Sequence, residues 1–138
     1  KEIIVALLHD CVEDNSLPQT VLTIIFGEEI ANAVYTLSKI IPVFDQNGRV
    51  AERVQKDSTK YFGEITASPE WIRRIKIADR IDNLRSFPTW TEERKEKYVA
   101  ETRKYLLPIA EGSDQNLADE LRRLCETHDR EAKSLQIK

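Results

Sequence analysis

The sequence has few of the features that mark secreted, membrane-spanning or disulfide-stabilised proteins. It contains two cysteines, Cys11 and Cys125, four glycines and no methionine among 138 residues. No apolar run approaches the roughly 18 uninterrupted residues that a membrane-spanning helix needs, and no signal peptide is recognisable. Both cysteines fall on apolar helical stripes, where a buried reduced thiol is expected rather than a disulfide. We therefore expect a cytoplasmic protein with no membrane partner and no redox chemistry.

A basic surface is also missing. Lysine and arginine together number 21 against 24 acidic residues, which gives a net charge of −3 and a pI near 5.5. Proteins that bind nucleic acid usually present a basic face to the phosphate backbone. The charge balance therefore argues against nucleic-acid binding, and it fits a small acidic enzyme.

Helical periodicity, in contrast, runs through nearly every segment, and no segment alternates convincingly with period two. The sequence therefore predicts an all-α protein, a single-domain helical bundle that occupies residues 1–138. We predict helices at about residues 2–14, 18–25, 28–40, 50–66, 69–86, 91–106 and 115–134.

Turn and capping residues separate the predicted helices. Asn47-Gly48 predicts a turn inside a loop that runs from Pro42 to Arg49. Thr89 with Glu92 three residues later predicts a capping box. The remaining breaks are marked by Pro18, Gly27 and Ser68-Pro69.

The first predicted helix carries an unusual concentration of charge in the stretch LLHDCVEDN. At about 100° per residue, apolar side chains cover an arc of about 200° around this helix. His9, Asp10 and Glu13 share the remaining strip, and Asp14 lies at its edge. The strip either faces water or lines a polar cavity, and on this helix alone the first interpretation is favoured because amphipathic helices are common.

A second group of polar residues lies in IRRIKIADRIDNLRS, residues 72–86. Apolar side chains occur all round this predicted helix, as expected of a buried one. Asp79 and Asp82 fall at core-facing positions, where a carboxylate is costly unless it is paired or binds a metal. A bound metal ion and an ion pair explain the core-facing position of Asp79 equally well. The partners available for an ion pair are Arg73, Arg74 and Arg80.

Together, the two helices supply one imidazole and two aspartates as donors for a manganese, iron or magnesium ion: His9, Asp10 and Asp79. Glu13 and Asp14 lie one turn further along the first helix, where they could act as general base or general acid. Asn83 and Lys76 project to nearly the same side as Asp79, and they could take a sugar hydroxyl and a phosphate oxygen.

LLHDCVEDN and IKIADRIDNLRS, followed by AETRKYLLPIA, resemble the hydrolase half of the RelA/SpoT family, within the HD-domain metal-dependent phosphohydrolases. The resemblance covers about residues 3–110 and includes FGEEIANAV and LSK between the motifs. It implies a bundle of α-helices that binds manganese and removes the 3′-pyrophosphate from guanosine tetra- and pentaphosphate.

The resemblance also implies roles for individual residues. It implies three metal ligands: His9, Asp10 and Asp79. Glu13 and Asp14 match the acidic pair that activates or orients the attacking water. Asn83 matches a ribose contact, and Ser86 matches a small hydroxyl residue near the nucleotide. Lys76 matches a basic residue ahead of the aspartate, and we infer a phosphate contact for it.

The chain departs from the family pattern in three places. The family's first metal-ligating histidine lies on a helix before the His-Asp pair, and nothing precedes Lys1 here. Either this helix was lost from the sequence or the protein is a degenerate relative with an incomplete site, and the absence of a start methionine favours loss of the helix. Asp82 replaces the usual histidine, a change that metal binding should tolerate because the family's ligand is the earlier aspartate. The segment from Pro42 to Ser68 matches poorly, which leaves the nucleotide preference open.

A second His-Asp pair, His128-Asp129, is expected to be unrelated to the site. His128 falls on the stripe formed by Leu117, Leu121 and Leu124, and no carboxylate partner lies nearby on that face. A core or helix-end histidine is therefore the favoured interpretation.

Three functions remain after this reading of the sequence. The first is a guanosine-polyphosphate 3′-pyrophosphohydrolase that uses one manganese ion. The second is an HD phosphohydrolase that acts on another nucleotide. The third is a catalytically inactive helical module that binds a nucleotide or a partner protein.

Overall fold

The computed structural model describes residues 1–87 and 89–137, and most of them lie in helices. The α-helices are α1 Glu2–Asn15, α2 Gln19–Phe26, α3 Glu28–Leu37, α4 Ser58–Thr66, α5 Glu70–Arg85, α6 Glu92–Glu101, α7 Leu107–Glu111 and α8 Gln115–Ile137. A π-helix, Thr102–Leu106, connects α6 to α7. Two antiparallel strands, β1 Ile40–Phe44 and β2 Val50–Gln55, form a hairpin between α3 and α4. The predicted all-α class is confirmed, with one small hairpin added.

The chain divides into two compact units, Lys1–Ile72 and Arg73–Lys138. The first unit contains α1 to α4 and the hairpin. The boundary falls inside the first turn of α5, so the second unit contains most of α5 and all the later helices.

The hairpin is the main difference from the sequence prediction. The predicted helix at 28–40 ends at Leu37, and the predicted helix at 50–66 is wrong over its first part because α4 begins only at Ser58. Ile41 pairs with Val54 and Val43 with Glu52 across the ladder. All six residues of β2 are exposed, so this strand leaves no apolar alternation in the sequence. Backbone pairing with β1 defines it, and periodicity does not detect such pairing.

The predicted turn at Asn47-Gly48 is confirmed at the tip of this hairpin. Gly48 has φ 75°, a left-handed conformation that glycine adopts without steric cost. The Asp45 carboxylate accepts hydrogen bonds from the backbone N–H of Asn47 at 2.8 Å and of Arg49 at 3.0 Å. These hydrogen bonds lie within residues 45–49, so five consecutive residues determine the reversal of chain direction.

A buried lysine joins the hairpin to the helices of the first unit. Lys56 follows β2, and only 9% of its side chain is exposed. Its Nζ donates to the carbonyl of Tyr35 at 2.8 Å, near the end of α3, and pairs with Glu64 of α4 at 2.9 Å. A cation is favourable at the C-terminal end of a helix, so Lys56 stabilises α3 while it holds the hairpin against it.

Each unit buries apolar side chains of its own elements. The first unit buries residues of α1 to α4, including Val5, Val12, Leu22, Val34, Leu37, Phe62 and Ile65. The second unit buries residues of α5 to α8 and the π-helix, including Ile77, Ile81, Val99, Leu106, Leu121 and Leu124. Within each helix, these buried side chains follow helical spacing, as the sequence predicts.

The start of α6 corrects one capping prediction. Thr91 is the N-cap, and its hydroxyl accepts a hydrogen bond from the backbone N–H of Arg94 at 3.3 Å. Thr89 lies in a turn in which Trp90 N–H donates to Phe87 O at 3.2 Å. The predicted capping box of Thr89 is therefore wrong, because this turn delays the helix by two residues.

Two further predictions concern buried residues: the free thiols and the core histidine are confirmed, but of the two cysteines only Cys125 is buried. Cys125 is 2% exposed and Cys11 is half-buried, and both thiols are free. His128 is 6% exposed and packs against Phe87 with the ring centroids 5.9 Å apart, as expected of a core histidine.

Among the described residues, no helix is both long enough and apolar enough to cross a membrane.

Candidate functional site

The first His-Asp pair begins on the buried side of α1. Val5, His9 and Val12 are the buried residues of this helix, and His9 is only 7% exposed. In contrast, Ile3 and Leu7 of the predicted apolar arc are 77% and 70% exposed. The arc therefore does not define the inward face, and the interpretation in which the polar strip faces water fails at His9.

The orientation of the His9 ring is set by a bond to its own helix. Nδ1 lies 2.8 Å from the carbonyl oxygen of Ala6, one turn earlier. A carbonyl can only accept a hydrogen bond, so Nδ1 carries the proton of this bond. In the neutral ring, Nε2 then carries the lone pair that binds a metal, and this is the arrangement that metal-ligating histidines normally have.

The neighbouring aspartate lies beside that nitrogen. His9 Nε2 and Asp10 Oδ1 are 3.1 Å apart. Two acceptor atoms at this distance repel each other unless a proton or a cation lies with them. Adjacent ligands in an octahedral site are separated by roughly 3.0 Å when each metal bond is about 2.1 Å long. The pair therefore fits two neighbouring positions around a small divalent cation.

The predicted catalytic carboxylates of α1 differ in how they are held. Glu13 is half-buried, and its Oε1 accepts a hydrogen bond from the backbone N–H of Lys39, just after α3. Asp14 is exposed, as is the Asp10 side chain at 66%. Glu13 thus has a fixed orientation, whereas the two aspartates are accessible to a ligand.

Ser38 is a supporting residue that is not among the predicted site residues. Its side chain is fully buried, and Oγ lies 2.7 Å from Val34 O and 3.2 Å from His9 O. The bond to His9 O ties α1 to the end of α3 in the region that also holds Glu13. Ser38 is the middle residue of LSK, one of the matched segments, so the sequence did contain a signal for it.

In the second unit, the predicted ligand Asp79 is paired with a predicted substrate residue. Lys76 Nζ and Asp79 Oδ2 are 3.0 Å apart, and their side chains are 12% and 25% exposed. Lys76 therefore projects to the side of Asp79, as the sequence predicts. Its ammonium group compensates the charge of the carboxylate, a role for which the sequence offers Arg73, Arg74 and Arg80 as candidates.

The other predicted substrate residues lie further along α5. Asn83 is half-buried, and its Nδ2 donates to the hydroxyl of Tyr98 at 2.9 Å. Ser86 is exposed, and its Oγ donates to Asp82 O at 2.9 Å. Asp82 is exposed, which corrects the prediction that it faces the core.

Arg80 is the most buried charged residue of this part of the molecule, with 2% exposure. Its guanidinium pairs with Glu101 at 2.8 Å and donates to Thr102 Oγ1 at 3.1 Å. It also stacks on Tyr98, with Cζ 3.8 Å from the ring centroid. Glu101 and Thr102 belong to the third matched segment, AETRKYLLPIA, and the sequence analysis assigned neither a role.

The three predicted metal ligands are divided between the two units. His9 and Asp10 are adjacent in the first unit, and Asp79 belongs to the second. In residues 1–87 and 89–137, no group of three or more His, Cys, Asp or Glu side chains forms a metal site. The three-residue ligand set therefore stays a prediction, and the His9–Asp10 pair is the part of it that has suitable geometry.

A mostly helical fold in which a buried histidine lies beside an exposed aspartate, with Nε2 and Oδ1 3.1 Å apart, fits a class of proteins that includes metal-dependent hydrolases. Comparison with protein families agrees with this class, because the family described as HD domain matches residues 1–114. The chain belongs to this HD-domain family, and its resemblance to RelA/SpoT-type proteins is confirmed by individual relatives.

These relatives are long proteins of which the chain matches one part. The GTP pyrophosphokinase of Myxococcus xanthus is 31% identical over 110 residues, or 78% of this chain and 14% of the relative. The guanosine-3′,5′-bis(diphosphate) 3′-pyrophosphohydrolase of Aquifex aeolicus is 29% identical over 109 residues, or 78% and 15%. A probable enzyme of the latter name from Mycoplasma pneumoniae is 29% identical over 107 residues, or 75% and 15%. The chain thus spans about one seventh of the relatives' length, and the comparisons support a metal-dependent hydrolase.

Proposed function

We propose that the protein hydrolyses the 3′-pyrophosphate of guanosine tetra- and pentaphosphate, which yields pyrophosphate and GDP or GTP. The observation that carries this proposal is the 3.1 Å approach of Nε2 of the buried His9 to Oδ1 of the exposed Asp10. Two of the relatives bear the name of this pyrophosphohydrolase, which supports the choice of substrate.

A divalent cation, for which we propose manganese, would be held by His9, Asp10 and Asp79. Such a cation stabilises the negative charge that develops on phosphoryl oxygens. The first two residues fit it because the Nδ1 bond to Ala6 O leaves Nε2 to face Asp10. Asp79 contributes a carboxylate that is 25% exposed and whose Oδ2 lies 3.0 Å from Lys76 Nζ.

Glu13 is proposed as the general base. Its Oε1 accepts from Lys39 N–H, so the carboxylate stays in one orientation and can accept a proton from the attacking water. The water oxygen forms a bond to the phosphorus next to the ribose 3′ oxygen, and the bond between that phosphorus and the 3′ oxygen breaks. The departing 3′ oxygen takes up a proton, from protonated Glu13 or from solvent water, and becomes the 3′-hydroxyl of the product. Asp14, one turn beyond Asp10, is proposed to orient the water.

Three residues of α5 are proposed to bind the nucleotide. Lys76 would contact a phosphate oxygen when it exchanges its bond with Asp79 for one with the substrate. Asn83 would contact the ribose, and Ser86, which is exposed at the end of the helix, would lie near the nucleotide.

Hydrolysis of a different nucleotide is the second candidate function. It is favoured by the hairpin, because β2 is exposed along its whole length and lies in the segment that matches the RelA/SpoT pattern poorly. An exposed segment that differs from the family is a natural place for a difference in substrate contacts.

The test is pyrophosphate release from guanosine tetraphosphate by the protein expressed from its complete reading frame, with manganese and with a chelator. Asp79→Ala should abolish release and lower the bound metal measured by elemental analysis. Asp82→Ala is the matched control, because Asp82 is an exposed carboxylate on the same helix and should retain both.

The outcomes separate the three functions. Manganese-dependent release that only Asp79→Ala removes supports the proposal. A folded, metal-loaded protein that releases nothing from this substrate overturns it in favour of another nucleotide. A folded protein that binds no metal overturns it in favour of an inactive binding module.

A further inference from the structure

The side-chain amide of Asn83 has one end committed before any ligand arrives. Its Nδ2 donates to Tyr98 Oη at 2.9 Å. The amide nitrogen and oxygen point in different directions from the same carbon, so this bond decides which end of the amide meets a ligand. Because Nδ2 faces Tyr98, the carbonyl oxygen Oδ1 is the amide atom that faces away from Tyr98 and can meet a ligand. A carbonyl oxygen can only accept a hydrogen bond.

Tyr98 is itself held on several sides. The Arg80 guanidinium lies over its ring with Cζ 3.8 Å from the centroid. Trp90 and Phe87 meet the ring at near-perpendicular angles, with centroids 4.9 Å and 6.0 Å away. A tyrosine enclosed in this way has little rotational freedom, so its hydroxyl stays at one place relative to α5.

The position of Arg80 is fixed by the last residue of α6 and the first residue of the π-helix, on the side that also carries Tyr98. Glu101 pairs with the guanidinium at 2.8 Å, and Thr102 Oγ1 accepts from it at 3.1 Å. Tyr98, Glu101 and Thr102 have the spacing i, i+3 and i+4, so they lie on one face of the helix. The π-helix begins at Thr102, and π-helices occur frequently at functional sites.

We propose that Tyr98 is a positioning residue that fixes the Asn83 amide so that Oδ1 accepts a hydrogen bond from the ribose 2′-hydroxyl of the nucleotide. This inference rests on the proposed function, because it takes guanosine tetraphosphate as the substrate. In that substrate the 3′ oxygen carries the pyrophosphate, so the 2′-hydroxyl is the donor that remains on this edge of the ribose. The proposal therefore makes Tyr98 and Asn83 the discriminators between ribose and 2′-deoxyribose.

The experiment measures kcat and KM for guanosine tetraphosphate and for its 2′-deoxy analogue. The wild-type protein should show a KM about fivefold higher for the analogue, as expected for one lost hydrogen bond. Tyr98→Phe keeps the ring and its stacking on Arg80 but removes the hydroxyl, so the amide can rotate. Its KM ratio should fall to about one while kcat for guanosine tetraphosphate changes less than about twofold.

Tyr105→Phe is the matched control, because it removes a tyrosine hydroxyl from the π-helix a few residues away and should leave the ratio unchanged. A wild-type protein that discriminates, together with Tyr98→Phe that discriminates equally, overturns the positioning role and leaves the proposed function intact. A wild-type protein that hydrolyses both nucleotides with equal KM overturns the ribose contact. A wild-type protein that neither binds nor hydrolyses them overturns the inference together with the proposed function.

Discussion

His9 and Glu13 of the first unit are oriented by backbone atoms, whereas Asn83 and Arg80 of the second unit are oriented by other side chains. His9 bonds to Ala6 O, and Glu13 accepts from Lys39 N–H. In the second unit, Asn83 depends on the Tyr98 hydroxyl, and Arg80 depends on Glu101 and Thr102. A backbone group is present whatever side chain its residue carries, but a side-chain partner is lost by one substitution. The second unit should therefore be the more sensitive to mutations outside the eight proposed site residues.

The largest effect is expected from His9→Ala. Loss of Nε2 removes a proposed ligand that no backbone contact can replace, so metal content and hydrolysis should disappear together. His128→Ala provides the matched control, because His128 is also buried and also precedes an aspartate. The control should keep metal and activity in a protein whose circular dichroism shows that it is folded. Equal losses in both variants would contradict a special role for the first pair.

The next effect separates metal binding from chemistry within the first unit. Glu13→Gln retains an oxygen that can accept from Lys39 N–H, but the amide cannot take a proton from water. Metal content should therefore stay at the wild-type level while kcat falls by about 100-fold or more. Glu28→Gln, an exposed change at the start of α3, should leave both unchanged. Full activity of Glu13→Gln would remove Glu13 from the mechanism.

Stability should reveal the reliance of the second unit on side-chain partners. Glu101→Ala leaves the buried Arg80 guanidinium without its carboxylate, and the free energy of unfolding should fall by about 2 kcal/mol. Glu93→Ala removes an ion pair with Lys97 from the same helix, but both side chains of that pair are more than three-quarters exposed. Urea unfolding should detect no change in this control. Similar curves for the two variants would show that Arg80 has other sufficient partners.

The smallest effect concerns pH. Hydrogen bonds from Arg123 and Arg85 lower the pKa of Glu120 from its ordinary value of 4.5 to about 2. Since the folded-state pKa is the lower one, this contribution to stability is present above pH 4.5 and is lost as the pH falls toward 2. Wild type should therefore exceed Glu120→Gln in free energy of unfolding at pH 7, and the difference should shrink at pH 3. A difference that grows on acidification would contradict this assignment.

The parts of the fold that could be predicted from sequence are those whose signal is local. The predicted helices corresponding to α1, α2, α3, α5 and α8 begin and end within three residues of the observed bounds, because apolar periodicity and capping residues are contained in each segment. The hairpin could not be predicted, because β2 is exposed on both faces and depends on pairing with β1. The turn before α6 likewise displaced the N-cap to Thr91.

For the candidate site, contacts within one helix could be predicted from the residue spacing, whereas contacts between helices could not. The proximity of Lys76 to Asp79 follows from i, i+3 spacing. The contact between Asn83 and Tyr98 joins α5 to α6, so no single-helix pattern contains it. The buried face of α1 was also misjudged, since exposed Ile3 and Leu7 made the apolar arc look like the core side.

The bond between His9 Nδ1 and Ala6 O has a consequence for the entropy of ligand binding. An imidazole held by its own helix turn has already lost the rotation about its side-chain bonds when the chain folds. A ligand that binds Nε2 therefore avoids an ordering cost of about 0.5 to 1.5 kcal/mol, the usual value for one mobile side chain. Affinity at this position thus depends on the helicity of residues 6 to 9, and fraying of one turn of α1 would weaken binding without the loss of any ligand atom.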